Sequence, residues 1–304
     1  MQKKPLDLAR LATVQLVPIT PFSADGKRLL PEPFAELIRR TYAAGIRVFI
    51  PAAGTGEFHS LREGEVIECT RIAREAAGPD ATIIAPVGFG LNYSILVGSG
   101  AVEAGADALL VMPPVHPYLS DTGFQEYIRA LAEALPLPLL AYKKGPVPSD
   151  QALGELGKSG HLVGIKYAVN DLDAFTRFAD AQGGHLGLYC GTAERFAPFY
   201  MLSGAKGFTS GAANLCPRLS LAMFDALAAG NYPEAMRLLR ILRPIEDYRA
   251  LEGDSFNISM LKFGATLLGL DFGPARPPQR RLTADDQATI RRLLEPILQA
   301  EAKL

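Results

Sequence analysis

The sequence has few cysteines and no large excess of charge of either sign. Cys69, Cys190 and Cys216 are odd in number, far apart and free of CxxC spacing, so they indicate neither a disulfide framework nor a zinc site. Lys and Arg number 31 against 32 Asp and Glu, a formal net charge of −1, which argues against a nucleic-acid surface or an acidic tail. We therefore expect reduced, mostly buried cysteines and a small-molecule partner.

Long apolar segments are missing as well. No window approaches the roughly 18 uninterrupted apolar residues that cross a membrane. The N-terminal MQKKPLDLAR lacks the apolar core of a signal peptide. From these two absences we expect a cytoplasmic protein with no membrane partner.

The 304 residues contain a regular alternation of short apolar runs and longer amphipathic segments. Such alternation predicts parallel βα units, and eight of them favour an α/β fold of the closed (β/α)8 TIM barrel type over an open doubly wound sheet. From Asn231 onward the pattern is helical, which predicts a catalytic barrel over 1–230 and a C-terminal helical domain over 231–304. The eight predicted strands are 14–20, 48–53, 82–88, 108–114, 138–142, 162–166, 186–190 and 206–210.

Polar or glycine-rich residues follow one predicted strand after another. In a barrel of this class the active site is built at the carboxyl ends of the strands, so we expect these residues to converge on one face. They are GTGE at 54–57, Tyr142, Lys166, GTAER at 191–195, and Thr209 with Ser210.

Lys166 ends the apolar strand LVGIK. A buried ammonium costs several kcal/mol unless it is paired, and its pKa falls until the amine is neutral and nucleophilic. A neutral amine is what Schiff-base catalysis on a ketone needs. Taken alone, however, Lys166 is also compatible with a side chain whose head extends into solvent.

Two neighbours bear on that choice. Tyr142 closes the preceding strand, and adjacent strands lie about 5 Å apart, so its phenol can relay protons in the same cavity or simply pack there. The turn GTGE can hold a substrate carboxylate through its backbone N–H groups and the Thr55 hydroxyl. Glycine in such a turn can equally serve conformation alone.

Together these stretches resemble the dihydrodipicolinate synthase / N-acetylneuraminate lyase family of class I, Schiff-base 2-oxoacid aldolases and dehydratases. AAGTGEFHSL at 52–61 is similar to the family's G-T-T-G-E signature, PLLAY ends in its catalytic tyrosine, and GIKYAVND looks like its lysine strand. The resemblance implies a (β/α)8 barrel with a C-terminal helical extension, Lys166 and Tyr142 as catalytic residues, and carboxylate binding by Gly54, Thr55 and Gly56. It also implies a homo-oligomer, a tetramer or a dimer.

The sequence departs from the synthase that names the family. That enzyme has an arginine shortly after its catalytic tyrosine, whereas here Tyr142 is followed by KKGPV, which argues against lysine biosynthesis. GTGEFHSL and PYLSDTG instead resemble the 5-dehydro-4-deoxyglucarate dehydratases, in which a basic residue follows the tyrosine by two positions, as Lys144 does here. The lysine strand of that branch usually reads G-x-K-D-G, and this one reads GIKYA, so the sugar acid stays open.

The resulting hypothesis is a Schiff-base lyase that dehydrates a 2-keto-3-deoxy sugar acid. A pyruvate-dependent aldolase is the alternative, and a 4-hydroxy-tetrahydrodipicolinate synthase or a non-catalytic keto-acid-binding barrel is less favoured. Lys144 and Arg195 can bind the far end of the substrate, although Lys143 and Lys144 also read as a solvated pair and Arg195 as a helix-start ion pair. We expect no cofactor and no metal, because the imine supplies the electrophile. His59 and His116 have no partner at ligand spacing.

Overall fold

The computed structural model describes residues 6–182 and 184–304. Eight parallel strands in this part of the chain form a closed barrel in sequence order, and β1 pairs with β8 to complete it. The predicted (β/α)8 barrel is confirmed, and every predicted strand position contains a strand. The strands are β1 (Val14–Leu16), β2 (Val48–Phe49), β3 (Thr82–Val87), β4 (Ala108–Val111), β5 (Leu139–Lys143), β6 (Gly164–Tyr167), β7 (Gly187–Cys190) and β8 (Gly207–Ser210).

Helices surround the barrel and continue beyond it. A helix follows each strand, and the residues after α8 form a C-terminal helical segment. The helices are α1 (Pro31–Ala43), α2 (Glu63–Ala77), α3 (Leu91–Glu103), α4 (Asp121–Ala134), α5 (Asp150–Lys158), α6 (Leu172–Gln182), α7 (Ala193–Leu202), α8 (Pro217–Ala228), α9 (Tyr232–Arg249), α10 (Leu251–Asp254), α11 (Ser259–Leu267) and α12 (Ala284–Glu301). Within the described ranges, no helix has the length and apolar character needed to cross a membrane.

The strands read as apolar runs because both of their faces are covered. One face fills the barrel interior and the other packs under the helices, so strands such as β3 and β4 are buried along their whole length. Helices start where the sequence supplies a cap: the hydroxyls of Ser120 and Ser149 accept backbone N–H groups at the starts of α4 and α5. These local signals place each strand end at one face of the barrel.

Pairing between β5 and β6 sets the register that matters for function. Tyr142 is the direct neighbour of Lys166, and Lys166 is in turn the neighbour of Tyr189 on β7. Since side chains alternate between the two faces of a strand, neighbours in register point the same way. The phenol of Tyr142 and the amine of Lys166 therefore share one side of the barrel.

The C-terminal segment is attached to the barrel through a buried ion pair. The Nζ of Lys262 lies 2.6 Å from Glu57 Oε1, and the backbone N–H of Arg276 donates to Glu57 Oε2 at 2.8 Å. Helix α9 packs on α7 and α8. A domain boundary at residue 230 stays a prediction, and residues 1–5 of the predicted first domain, including part of the N-terminal stretch discussed above, lie outside the described residues.

Candidate active site

A single cavity of about 630 Å³ opens at the carboxyl ends of the strands. Nearly all of the site residues predicted from the sequence line this cavity, and they belong to the barrel. The C-terminal segment contributes a second set, so the cavity has walls from both parts of the chain. Predicted residues that line it are Gly54, Thr55, Tyr142, Lys144, Lys166, Arg195, Thr209 and Ser210; those from the C-terminal segment include Glu246, Arg249, Asp254, Asn257 and Gln279.

Lys166 lies in the cavity with only 5% of its surface exposed. Its Nζ is 4.0 Å from the centroid of the Tyr142 ring. Burial, followed by the positive charge of Lys144, lowers the pKa of Lys166 to about 7. A solvent-extended lysine is thus not what the structure contains, because the amine is enclosed and a large fraction of it is neutral near pH 7.

Tyr142 is partly buried and lines the cavity. Burial, with a smaller contribution from the carboxylate of Asp254, raises the pKa of its phenol to about 12. The phenol therefore keeps its proton over the physiological range and is available to donate it to a reacting oxygen. Asp254 belongs to the C-terminal segment, and no sequence pattern connects it with Tyr142.

The residues of the GTGE stretch serve two different functions: two line the cavity, and two have structural contacts. Gly54 and Thr55 line the cavity at the start of a short 3-10 turn, where the first N–H groups lack acceptors within the turn. Gly56 packs beneath them: its carbonyl accepts from the Thr20 hydroxyl at 2.7 Å, and a Cβ there would come within 3.0 Å of the Pro18 carbonyl oxygen. Glu57 turns away to bind Lys262 and so anchors the C-terminal segment.

Backbone strain is concentrated around the cavity. Ala52 and Glu57 flank the GTG turn with φ values of 58° and 68°, and Ala193, which lines the cavity after β7, has a φ of 59°. Asp254 has a φ of 66°. Left-handed backbone at residues other than glycine costs about 1–3 kcal/mol each and is typical of functional sites.

The hydroxyls at the end of β8 are already bonded within the protein. Thr209 Oγ1 donates to the Cys190 carbonyl at 3.3 Å. Ser210 Oγ donates to the buried carboxyl group of Glu194, which also accepts from Ser220 at 2.6 Å. Ser210 therefore lines the cavity with its hydroxyl proton committed to Glu194, whose pKa is raised by burial and by the neighbouring Glu246 carboxylate.

The two adjacent lysines after β5 have different environments. Lys143 is buried, and its Nζ donates to the Pro148 carbonyl at 2.7 Å and lies 3.4 Å from Asp150, so the interpretation of a solvated pair is wrong for this residue. Lys144 is exposed at the cavity rim. Its charge, after burial, contributes to lowering the pKa of His59, which lies on the same rim.

Arg195 lies at the rim and is also paired. Its Nη1 is 3.7 Å from Asp247 Oδ1 on α9, and 37% of its side chain is exposed. Both interpretations of this residue therefore describe part of its environment: it forms an ion pair near a helix start, and it faces the cavity. At this exposure the pair is worth about 0–1 kcal/mol, so Arg195 can exchange Asp247 for another anion.

Arg249, at the end of α9, is a site residue that the sequence did not indicate. Its side chain is 7% exposed, it lines the cavity, and its charge helps to lower the pKa of Lys166 after burial and Lys144. It lies well beyond the eighth strand in a helix with several arginines. Among the described residues, no group of three or more His, Cys, Asp or Glu side chains is arranged to hold a metal ion.

Comparison with known proteins identifies related chains over almost the whole length. Residues 10–297 match the model of the Dihydrodipicolinate synthetase family. A probable 5-dehydro-4-deoxyglucarate dehydratase 1 of Streptomyces avermitilis is 31% identical over 286 residues, which cover 91% of each chain. A probable 5-dehydro-4-deoxyglucarate dehydratase of Xanthobacter autotrophicus is also 31% identical, over 91% of this chain and 93% of its own.

Solved structures agree with the barrel. A dihydrodipicolinate synthase from Oceanobacillus iheyensis superposes with a TM-score of 0.90 at 33% identity, covering 95% of this chain and 98% of that chain. One from Bacillus clausii has a TM-score of 0.91 at 34% identity, covering 98% of this chain and 100% of that chain. Overall identity is thus similar to relatives with two different names, and a choice between those two activities has to rest on the site.

Proposed function

This chain belongs to the dihydrodipicolinate synthetase family, and on that premise we propose that it is a Schiff-base lyase that dehydrates a 2-keto-3-deoxy sugar acid of the 5-dehydro-4-deoxyglucarate type. One observation carries the proposal: Lys166 is an enclosed amine with a pKa of about 7 beside the phenol of Tyr142. An amine in that state attacks a ketone, and the dehydratase names of the relatives supply the reaction class.

The first step forms the imine. The carboxylate next to the ketone is held by the Thr55 hydroxyl and by backbone N–H groups around Gly54, which line the same cavity as Lys166. The neutral amine of Lys166 adds to the keto carbon, and the resulting hydroxyl leaves as water after it receives a proton. The protonated phenol of Tyr142 is placed to relay that proton.

The second step determines the product. The protonated imine draws electrons from the adjacent carbon, which loses a proton and forms an enamine. In dehydration the enamine expels the hydroxyl on the next carbon as water, again with a proton supplied through Tyr142. In aldol cleavage the hydroxyl two carbons from the imine loses its proton, and the carbon–carbon bond breaks to give an aldehyde and an enamine on Lys166. Protonation of that enamine and hydrolysis by water then release pyruvate and the free amine. Detection of pyruvate therefore separates the two reactions.

The charges at the cavity rim, where the far end of the substrate lies, favour a diacid sugar over aspartate semialdehyde. Lys144 and Arg195 place two exchangeable positive charges at the rim, where they meet the distal carboxylate of a six-carbon diacid. An exposed contact of this kind is worth about 0–1 kcal/mol, so the rim favours a diacid modestly. The loop after Tyr142 contributes Lys144 and has no arginine.

The protein works as a homo-oligomer, a tetramer or a dimer, in the cytoplasm. Support comes from the family and from large side chains that are exposed in the single chain: Tyr118 is 88% and Val115 60% exposed in the loop after β4, and Leu96 is 56% exposed on α3. Analytical ultracentrifugation of the wild type and of Tyr118→Asp tests the assembly. A wild type that sediments as a monomer at micromolar concentration would contradict it.

The experiment that tests the function compares three substrates at equal concentration. They are 5-dehydro-4-deoxyglucarate, 2-keto-3-deoxygluconate, and pyruvate with aspartate semialdehyde. We expect the highest kcat/KM for 5-dehydro-4-deoxyglucarate, with consumption of substrate and no release of pyruvate. Pyruvate as the product would establish the aldolase alternative. A preference for aspartate semialdehyde would establish the synthase activity and overturn the proposal.

A further inference from the structure

Arg249 combines burial with unused hydrogen-bond donors. Three of its five N–H groups are engaged: Nε donates to the Asn257 carbonyl at 3.2 Å, Nη2 donates to Asn257 Oδ1, and Nη1 donates to Glu246 Oε1. A guanidinium has one further N–H on each Nη atom. These two have no partner among the described residues, and the side chain faces the cavity.

Gly211 makes room for this guanidinium. A Cβ at Gly211 would lie 2.3 Å from Nη2 and 2.6 Å from both Cζ and Nη1 of Arg249. The backbone of Gly211 has φ −97° and ψ −38°, a conformation open to any residue. Glycine is therefore required here by the position of the guanidinium and not by the backbone.

We propose that Arg249 is a specificity-determining residue that binds the distal carboxylate of the substrate through its two free N–H groups. The proposal rests on the proposed function for the identity of the diacid. Two N–H groups on the two Nη atoms of one guanidinium match the two oxygens of a carboxylate. Glu246 and Asn257 hold the group in place before substrate arrives, so little conformational entropy is lost on binding.

The other cations at the rim have a different part in binding. Lys144 is exposed and Arg195 is 37% exposed with an anionic partner of its own, so water screens both charges. They attract an anion to the opening and contact it there. Arg249 lies deeper, with only 7% of its side chain exposed, and it binds the carboxylate once the substrate is inside the cavity.

The test uses two 2-oxoacids of equal length. 2-Oxoadipate carries the distal carboxylate and 2-oxohexanoate has a methyl group in its place, and both form an imine with Lys166 that cyanoborohydride traps. Arg249→Gln should raise the half-saturating concentration of 2-oxoadipate roughly ten- to a hundred-fold and change that of 2-oxohexanoate less than about threefold. Gly211→Ala, which displaces the guanidinium without removing it, should act in the same direction.

The matched control is Arg240→Gln, on the same helix, where Arg240 is exposed and lies outside the cavity. This variant should leave the half-saturating concentrations of both acids unchanged. If Arg249→Gln fails to fold because Glu246 loses its partner, Gly211→Ala alone decides. An equal change for both acids, no change for either, or a wild type that does not distinguish them would overturn the proposal.

Failure of the proposed function gives a different result. If the wild type forms no adduct with either acid, the imine mechanism fails. Calorimetric titration with adipate and hexanoate then tests whether Arg249 binds the distal carboxylate, without any covalent step. Tighter binding of adipate that is lost in Gly211→Ala supports the role of Arg249. Equal binding of adipate and hexanoate overturns it.

Discussion

The rate of imine formation should follow the titration of one amine near pH 7. The perturbation is pH itself, and the reacting group is Lys166, whose pKa falls from 10.5 to about 7 because of burial and then the charge of Lys144. That drop corresponds to about 5 kcal/mol disfavouring the ammonium form inside the barrel. At pH 7 about half of the amine is neutral, whereas a lysine with an ordinary pKa would be neutral in roughly 0.03% of molecules.

The assay is single-turnover trapping of pyruvate with cyanoborohydride, followed by mass spectrometry of the peptide that contains Lys166. The initial rate should be about a tenth of its plateau at pH 6, half-maximal near pH 7 and constant above about pH 8. Lys144→Met should move the midpoint upward, since a positive charge that favours the neutral amine is removed. Free Nα-acetyllysine with pyruvate provides the reference profile for an unperturbed amine.

Two outcomes would refute this reasoning. A trapping rate that keeps rising tenfold per pH unit up to pH 9 would show that Lys166 has an ordinary pKa and that the enclosed site does not activate it. An adduct found on another lysine would remove Lys166 from the chemistry altogether. If the midpoint in Lys144→Met is identical to that of the wild type, the charge of Lys144 has no part in lowering the pKa of Lys166, and burial alone lowers it.

Four further predictions concern single substitutions. Tyr142→Phe should lower kcat roughly 100-fold, with a smaller change in KM, because a positioned proton donor is lost; wild-type kcat in steady-state kinetics would reduce the phenol to a packing group. Lys144→Met should raise KM for a diacid up to about fivefold, the effect of an exposed contact of about 1 kcal/mol, and leave a monoacid nearly unchanged, and an equal loss on both would mean that Lys144 does not meet the distal carboxylate. Glu57→Gln should lower stability by about 3–5 kcal/mol in urea denaturation, since it leaves Lys262 buried beside a neutral group; a change below about 1 kcal/mol would contradict that anchoring role. Lys166→Met should abolish turnover and raise stability at pH 7 by up to about 4 kcal/mol, because folding depresses the pKa of this lysine and the penalty is present below pH 7 and disappears as pH rises toward 10.5; equal gains in denaturation midpoint at pH 7 and above pH 10 would contradict it.

The fold was predictable because each strand can be recognised from its own short stretch of sequence. Strands covered on both faces read as apolar runs, and the residues at their ends stand out as polar exceptions, so Lys166 and Tyr142 could be singled out and then placed side by side by the parallel register. The family, indicated by the same stretches, is confirmed by the match over residues 10–297. The catalytic and binding roles of individual residues stay predictions.

The residues that escaped prediction depend on long-range packing. Arg249 resembles the other arginines of α9 in sequence, and only the position of that helix against the barrel directs it to the cavity. Glu57 belongs to the GTGE stretch, yet its partners Lys262 and Arg276 come from the far end of the chain. Lys143 ends β5 and Lys144 follows it, so the first side chain points to the start of α5 and the second to the cavity rim.

The link between Glu57 and Arg276 spans 219 positions, which has a consequence for protein synthesis. The ribosome releases Glu57 long before its partners exist, so the 3-10 turn that carries Gly54 and Thr55 has no anchor while most of the barrel is being made. Helix α9 and Arg249 likewise emerge after the last strand. A polypeptide interrupted after β8 therefore contains Lys166 and Tyr142 but lacks Arg249 and both partners of Glu57, Lys262 and Arg276.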